Sequence, residues 1–257
     1  MRWQSSHLST FLEGDGAQLP ILFYVHGNRV GSATAWSRAL AVYRSLVRNA
    51  GEASPIRFVM WSWPAERIRG PIKDVRVKAR RTGPAGYRLA WLVDRLDPET
   101  PVGMVGFSFG ARVITGSLHL LGGGRMGPYA LKSRQHPGRP AVRAVLLTAA
   151  LDDDWLLPGH YHGRALSQVD RMLVMINSAD RSMRWYRLID RCRRSEALGR
   201  WGVASLSALG PQRKKIEQRN VASQLGPVHD ISGYLSSPRL MRQTLRFTSF
   251  SVSPSDP

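Results

Sequence analysis

Five largely apolar runs, the first of them unbroken, constrain this chain more than any other feature. Pro20-Ile21-Leu22-Phe23-Tyr24-Val25 stops at His26-Gly27-Asn28, residues 56–61 stop at Ser62-Trp63-Pro64, and residues 101–107 run straight into Ser108. Residues 141–149 and 171–176 are the other two runs. A strand that alternates polar and apolar residues hides one face; an unbroken apolar run is buried on both, which is the environment of a parallel strand covered by helices. Between the runs lie stretches with helical spacing. Apolar residues recur at 36, 39, 40, 43, 46 and 47, then at Leu89, Leu92, Val93 and Leu96 before Asp97-Pro98, and again over 109–121 before Gly122-Gly123-Gly124. Strand–helix–strand alternation predicts an α/β fold with right-handed crossovers: a mostly parallel central sheet flanked by helices on both faces. A single domain over residues 1–250 with a disordered tail at 251–257 is the expected organisation. Residues 220–227 are a weak candidate for a sixth strand, 122–140 read as a loop-rich insert, and 66–81 read as a polar, basic connection.

Composition narrows the class. With 257 residues, 43% hydrophobic and 21% charged, the chain can bury a sizeable core and is not disorder-prone. Its one cysteine, Cys192, excludes an intrachain disulfide framework and multi-cysteine zinc sites. No stretch nears the roughly 18 apolar residues of a membrane span, and the first residues carry no apolar core of a signal peptide, so a soluble cytoplasmic protein is expected. The formal net charge is +19, and 32 of the 37 basic residues are arginines. They are scattered, without a basic block interleaved with aromatics and without a helix-turn-helix, so nucleic acid is not indicated as a partner. A generic arginine-rich surface is the simpler account, and attraction of an anionic partner or substrate the alternative.

Gly106-Phe107-Ser108-Phe109-Gly110 fits G-x-S-x-G, with a buried-type strand before it and an amphipathic helix after it. That strand–turn–helix setting makes it a candidate nucleophile elbow. The turn is so tight that residues 106 and 110 crowd each other, which is why both are glycine. It lifts the Ser108 hydroxyl off the sheet and onto a helix start, where free N–H groups favour developing negative charge. A serine needs a base. His229, in Gly226-Pro227-Val228-His229-Asp230, follows the last candidate strand and suits the role. His7, His26, His119, His136, His160 and His162 sit before the core, on other elements or in other loops. The acid that orients the imidazole is expected to be Asp180, just past the fifth run, with Asp152, Asp153 and Asp154 after the fourth run as rivals. The turn His26-Gly27-Asn28 follows the first run and can aim backbone N–H groups at a substrate oxyanion; Asn28 and Phe109 are the candidate donors. Trp61, Trp63, Trp155 and Tyr161 are candidate pocket-lining residues. The basic side chains Arg67, Arg69, Lys73, Arg76, Lys78, Arg80 and Arg81 are candidates for a positive pocket mouth.

Over residues 20–235 the chain resembles the α/β-hydrolase superfamily. Tyr24-Val25-His26-Gly27-Asn28, the 106–110 turn, Asp180 and His229 carry the resemblance, in the order Ser, Asp, His. With its Ser-Trp-Pro turn at 62–64 it is similar to a bacterial group of esterase- and lipase-like serine hydrolases. The resemblance implies hydrolysis of a small-molecule carboxylic ester or thioester through an acyl-enzyme, with no metal or organic cofactor, and the arginine excess leaves an anionic ester open as substrate. Phe107, where many lipases have His, departs from the lipase pattern, and no long cap is inserted between the fourth and fifth runs. A competing reading is a non-catalytic scaffold of the same fold that binds an anionic partner through its arginines.

Overall fold

The computed structural model describes residues 4–14, 16–50, 55–132, 138–188 and 195–250. The 251–257 tail, Cys192 and His136 lie outside them. The five apolar runs form β1 (Ile21–Val25), β2 (Arg57–Trp61), β3 (Val102–Phe107), β4 (Val142–Leu147) and β5 (Arg171–Ile176), and β6 (Ile216–Asn220) completes the sheet. All strand pairs are parallel, in the order β2-β1-β3-β4-β5-β6. Every residue of β1 and β3 is buried, as their unbroken apolar character requires. Val25 pairs with both Trp61 and Gly106, so β2, β1 and β3 end level. The turns that follow them therefore emerge side by side at one edge of the sheet.

The helices are α1 (Leu8–Glu13), α2 (Ser32–Arg48), α3 (Pro71–Val93), α4 (Phe109–Leu121), α5 (Leu198–Trp201), α6 (Ala222–Leu225), α7 (Ile231–Leu235) and α8 (Pro238–Thr248). Successive strand residues point to opposite faces. Ile21, Phe23 and Val25 pack with the inner sides of α3 and α4. Leu22 and Tyr24 join Val42 and Leu46 of α2, Tyr234 of α7 and Leu240 and Phe247 of α8 on the other face. α1 had no counterpart in the sequence reading.

Two expectations are corrected. The polar connection at 66–81 is in large part the first half of α3, which starts at Pro71 behind Gly70 (φ 91°) and continues past Pro84 to Val93. Its arginines disguise it, but Asp74, Lys78 and Thr82 fall on the buried face at helical spacing. The sixth strand is 216–220, not 220–227; residues 222–225 form one helical turn. β6 pairs only with β5 and carries Glu217 and Arg219, charges suited to an exposed sheet edge that an apolar-run criterion overlooks. Among the described residues no helix is long and apolar enough to cross a membrane.

Among the described residues three histidines are buried: His26, His119 and His162. Burial lowers the pKa of each below its ordinary value, most strongly for His162, where the charges of Arg112 and His119 add to the effect. The unfolded chain therefore binds more protons than the native one below about pH 6.5, and stability must rise with pH through that range. Thermal unfolding is expected to show a plateau above about pH 6.5 and a falling Tm below it, each neutral buried histidine contributing up to about 1.4 kcal/mol per pH unit. A Tm that holds constant from pH 7.5 to 5 would contradict this.

Candidate active site

Ser108 stands between β3 and α4 with φ 54° and ψ −118°, a left-handed conformation that a side chain adopts only under constraint. The constraint is contact with the neighbouring backbone. A β-carbon on Gly110 would lie 2.0 Å from the Val25 carbonyl oxygen, and one on Gly106 would lie 2.7 Å from the Ala111 nitrogen. The helix start is thus pressed against the end of β1, and only glycine fits at either position. The Ser108 carbonyl accepts hydrogen bonds from the N–H groups of Ala111 and Ala150, and its own N–H donates to Leu147, which fixes the turn on three sides.

His229 and Asp180 meet Ser108 at this edge. His229 Nε2 is 2.9 Å from Ser108 Oγ, and His229 Nδ1 is 2.6 Å from Asp180 Oδ2. A carboxylate only accepts, so Nδ1 carries the proton and Nε2 is left to accept from the serine hydroxyl. The Asp180 side chain is fully buried, and its other oxygen accepts from the Met183 N–H at 3.1 Å. The loops carrying the two residues are tied together. Asn177, buried, donates from Nδ2 to the Gly226 carbonyl at 2.9 Å, and the Arg181 N–H donates to Pro227 at 3.1 Å. On the far side of His229, Asp230 caps α7 by accepting from the Ser232 N–H, and the Phe107 ring packs 5.0 Å from the imidazole.

Two of the three rival carboxylates are engaged elsewhere. Asp152 accepts from the buried Tyr186 hydroxyl at 2.6 Å, and Asp154 pairs with His160 at 3.0 Å. Burial, with the nearby Asp154 charge, raises the Asp153 carboxyl above its ordinary pKa.

The His26-Gly27-Asn28 turn lies directly against the serine: a β-carbon on Gly27 would be 3.3 Å from that of Ser108. His26 points inward. Its Nδ1 donates to the Gly27 carbonyl at 2.9 Å, its ring stacks on Trp63 at 5.8 Å, and the Trp63 indole N–H donates to the His26 carbonyl at 2.9 Å. Burial keeps this imidazole neutral to lower pH, as that arrangement needs. Phe109 opens α4, so its N–H belongs to the first turn and has no acceptor in the helix behind it.

A cleft of about 560 Å³ opens over Ser108 and His229, with Asn28 and Phe109 in its wall. Its sides are Ile72 and Val75 of α3, with Met183, Trp185 and Leu188 opposite. The four aromatics expected to line it do not. Trp63 is the support for His26, Trp61 packs on the core, and Trp155 and Tyr161 face a different cavity. The sequence reading placed them by strand-end position, which does not specify which side of the edge a ring takes. Nor does the basic run ring the cleft. α3 turns Ile72 and Val75 towards it, Lys78 is buried, Arg76 donates to the Leu188 carbonyl and Arg81 to the Pro64 carbonyl. The cleft arginines are Arg29, bound to Asp74 at 3.0 Å, and Arg38, 3.7 Å from Asp230.

Asp74 is the residue that sequence reasoning missed. Its fully buried carboxylate accepts from Asn28 Nδ2 (3.1 Å), Arg29 Nε (3.0 Å), the Ile68 N–H (2.8 Å) and Lys78 Nζ (3.1 Å), and Lys78 also reaches the Glu66 carbonyl. Burial by itself would raise this carboxyl, but the donors outweigh it and hold the pKa below the ordinary value. The signal was available: Asp74 is the one acidic residue among 67–81, and it stands four residues before Lys78.

Two stability outcomes follow from this geometry. Asp74→Ala leaves the Lys78 ammonium buried and unpaired, and should cost about 3–5 kcal/mol in urea unfolding, most of it recovered in Asp74→Leu/Lys78→Met. Gly110→Ala should cost about 3 kcal/mol or more, because the obstacle is backbone. An Asp74→Ala protein as stable as wild type would show that the pair does not hold the turn.

No protein-family model matches the chain, and no curated protein does. Solved structures similar to it include the catalytic core domain of acetyl xylan esterase from Trichoderma reesei, at 13% identity over 90% of this chain and 98% of that one, with a TM-score of 0.47. Acyl-protein thioesterase 2 from Zea mays gives 16% identity over 90% and 96%, TM-score 0.47. A lipase-esterase related protein from Clostridium acetobutylicum gives 8% over 90% and 94%, TM-score 0.42. The chain's own geometry is the firmer ground: a parallel sheet in the order β2-β1-β3-β4-β5-β6, with a serine on a strained turn from its third strand into a helix, is the α/β-hydrolase fold.

Proposed function

We propose that this protein is a serine hydrolase of carboxylic esters or thioesters. The observation that carries the reading is the continuous contact from Asp180 through His229 to Ser108, at 2.6 and 2.9 Å, at the floor of an accessible cleft. In it, Ser108 Oγ attacks the acyl carbonyl while His229 Nε2 takes the hydroxyl proton. Asp180 holds the ring and offsets the positive charge it acquires. The negative charge on the carbonyl oxygen falls to the N–H groups of Asn28 and Phe109. His229 then protonates the departing alcohol or thiol. Water, deprotonated by the same imidazole, cleaves the acyl-enzyme and restores Ser108.

The acyl group is the part that the apolar wall of Ile72, Val75, Met183 and Leu188 suits. Both cleft arginines already face a carboxylate, which favours a neutral ester over an anionic one.

A fluorophosphonate probe should label the wild-type chain and leave Ser108→Ala unlabelled, with the variant's thermal stability unchanged. On p-nitrophenyl esters, Asp180→Asn should lose activity by up to about 10⁴-fold, the loss seen when a triad aspartate becomes an amide. Asp153→Asn should keep it. Absence of labelling in the folded wild-type chain would return the protein to the non-catalytic scaffold reading, and full activity in Asp180→Asn would remove that residue from the reaction.

A further inference from the structure

A second cavity, of about 760 Å³, lies on the other side of α3 from the cleft. The helix divides its side chains between the two: Ile72 and Val75 face the cleft, and Arg76, Ala79, Arg80 and Gly83 face the second cavity. Nothing in the proposed hydrolysis uses this space. Among the described residues no carboxylate lines it, while Arg76, Arg80 and Arg112 do. Its rings are Tyr129, Trp155, Tyr161 and the buried His162, and small or apolar residues such as Ala79 and Met126 complete the wall.

Arg112 is the telling residue. It sits in the first turn of α4 and is only 6% exposed. Its Nε and Nη1 have no hydrogen-bond partner, and it enters no ion pair among the described residues. Asp152 is taken by the Tyr186 hydroxyl instead. The guanidinium is held between rings, 4.2 Å from Trp155 and 5.6 Å from Phe109. The Trp155 indole N–H, in the same wall, also lacks an acceptor. A buried guanidinium without an anion is a costly arrangement unless something supplies one. The ring contacts orient its planar fork, the geometry suited to two oxygens of one anion.

We propose that this cavity binds a phosphate monoester carried on an aromatic group. The phosphoryl oxygens pair with Arg112, with Arg76 and Arg80 supplying further positive charge at the mouth. Three guanidinium groups exceed what one carboxylate would balance, and match a dianion with three acceptor oxygens. The ring packs beside Tyr129 and Tyr161; Tyr161 stacks on His162 at 5.0 Å and packs 4.6 Å from Trp155, and its exposed part, 43% of the residue, borders the cavity. The site is separate from Ser108 and does not depend on ester hydrolysis.

Titration calorimetry at low salt with phenyl phosphate, inorganic phosphate and phenol tests this. Phenyl phosphate should bind the wild-type chain once, with inorganic phosphate weaker and phenol undetected. Arg112→Gln should weaken phenyl phosphate at least tenfold and Arg80→Gln a few-fold, while Ser108→Ala binds as wild type does. Absence of saturable binding, undiminished affinity in Arg112→Gln, or phenol or inorganic phosphate binding as tightly as phenyl phosphate would overturn the proposal. Should Arg112→Gln fail to fold, the exposed Arg80 decides, and undiminished affinity in Arg80→Gln overturns it equally. A wild-type chain that binds phenyl phosphate but fails to react with a fluorophosphonate would sink the hydrolase reading and leave this one standing.

Discussion

The contact between the start of α4 and the end of β1 sets the geometry on which the candidate site is built. Gly110 lies so close to the Val25 carbonyl that no side chain can intervene, and Gly106 likewise leaves no room for one beside Ala111. Closing that gap forces Ser108 into its left-handed conformation and turns its hydroxyl out of the sheet. It also presses the 26–28 turn against the serine, so that the candidate oxyanion donors and the proposed nucleophile share one rigid corner. A turn built this way has few ways to relax. The serine's position is therefore determined by backbone packing, not by its own side-chain preferences.

Burial of charge supplies the second level of order. Asp74 and Lys78 are both withdrawn from water, and such a pair persists only if nearly every lone pair and proton is used. Here the surplus acceptors reach Asn28, Arg29 and Ile68. A polar network buried inside α3 thereby holds a loop from β1, two elements apart in sequence. The His229 side works similarly with neutral groups: Asn177 joins the Asp180 turn to the histidine loop, and Tyr234, bonded to Thr148, backs the Phe107 ring that packs on the imidazole. Because each contact crosses between elements, small shifts in one loop are resisted by its neighbour.

α3 also sorts the chain's positive charge. Of the basic residues in 66–81, Lys78 is buried in an ion pair, Arg76 and Arg81 donate to carbonyls, and Arg76 and Arg80 border the second cavity. On its α3 side the proposed acyl-binding cleft is apolar, and the neighbouring space is cationic, although a single helix lines both. An excess of arginine that looks uniform along the sequence is thus unevenly distributed in space.

The first five strands and the glycine-flanked serine turn were legible in the sequence, because an apolar run and a serine between glycines each reflect local demands: burial, and room for a tight turn. The order Ser108, Asp180, His229 was readable for the same reason, since each residue follows the end of a strand or candidate strand. Less was visible where the decision belonged to distant partners. β6 is polar because it lies at an edge, and the first half of α3 looks like a solvated connection until Asp74 and Lys78 are seen buried against the 26–29 turn. Trp155 and Tyr161 sit at strand-end loops, as expected of pocket residues, yet face the other cavity. Which of two carboxylate groups would meet His229 also depended on tertiary packing: Tyr186 engages Asp152, and the 177–181 turn is sewn to the histidine loop. A sequence records what each segment needs from its immediate surroundings; which neighbour satisfies that need is decided only when the segments pack.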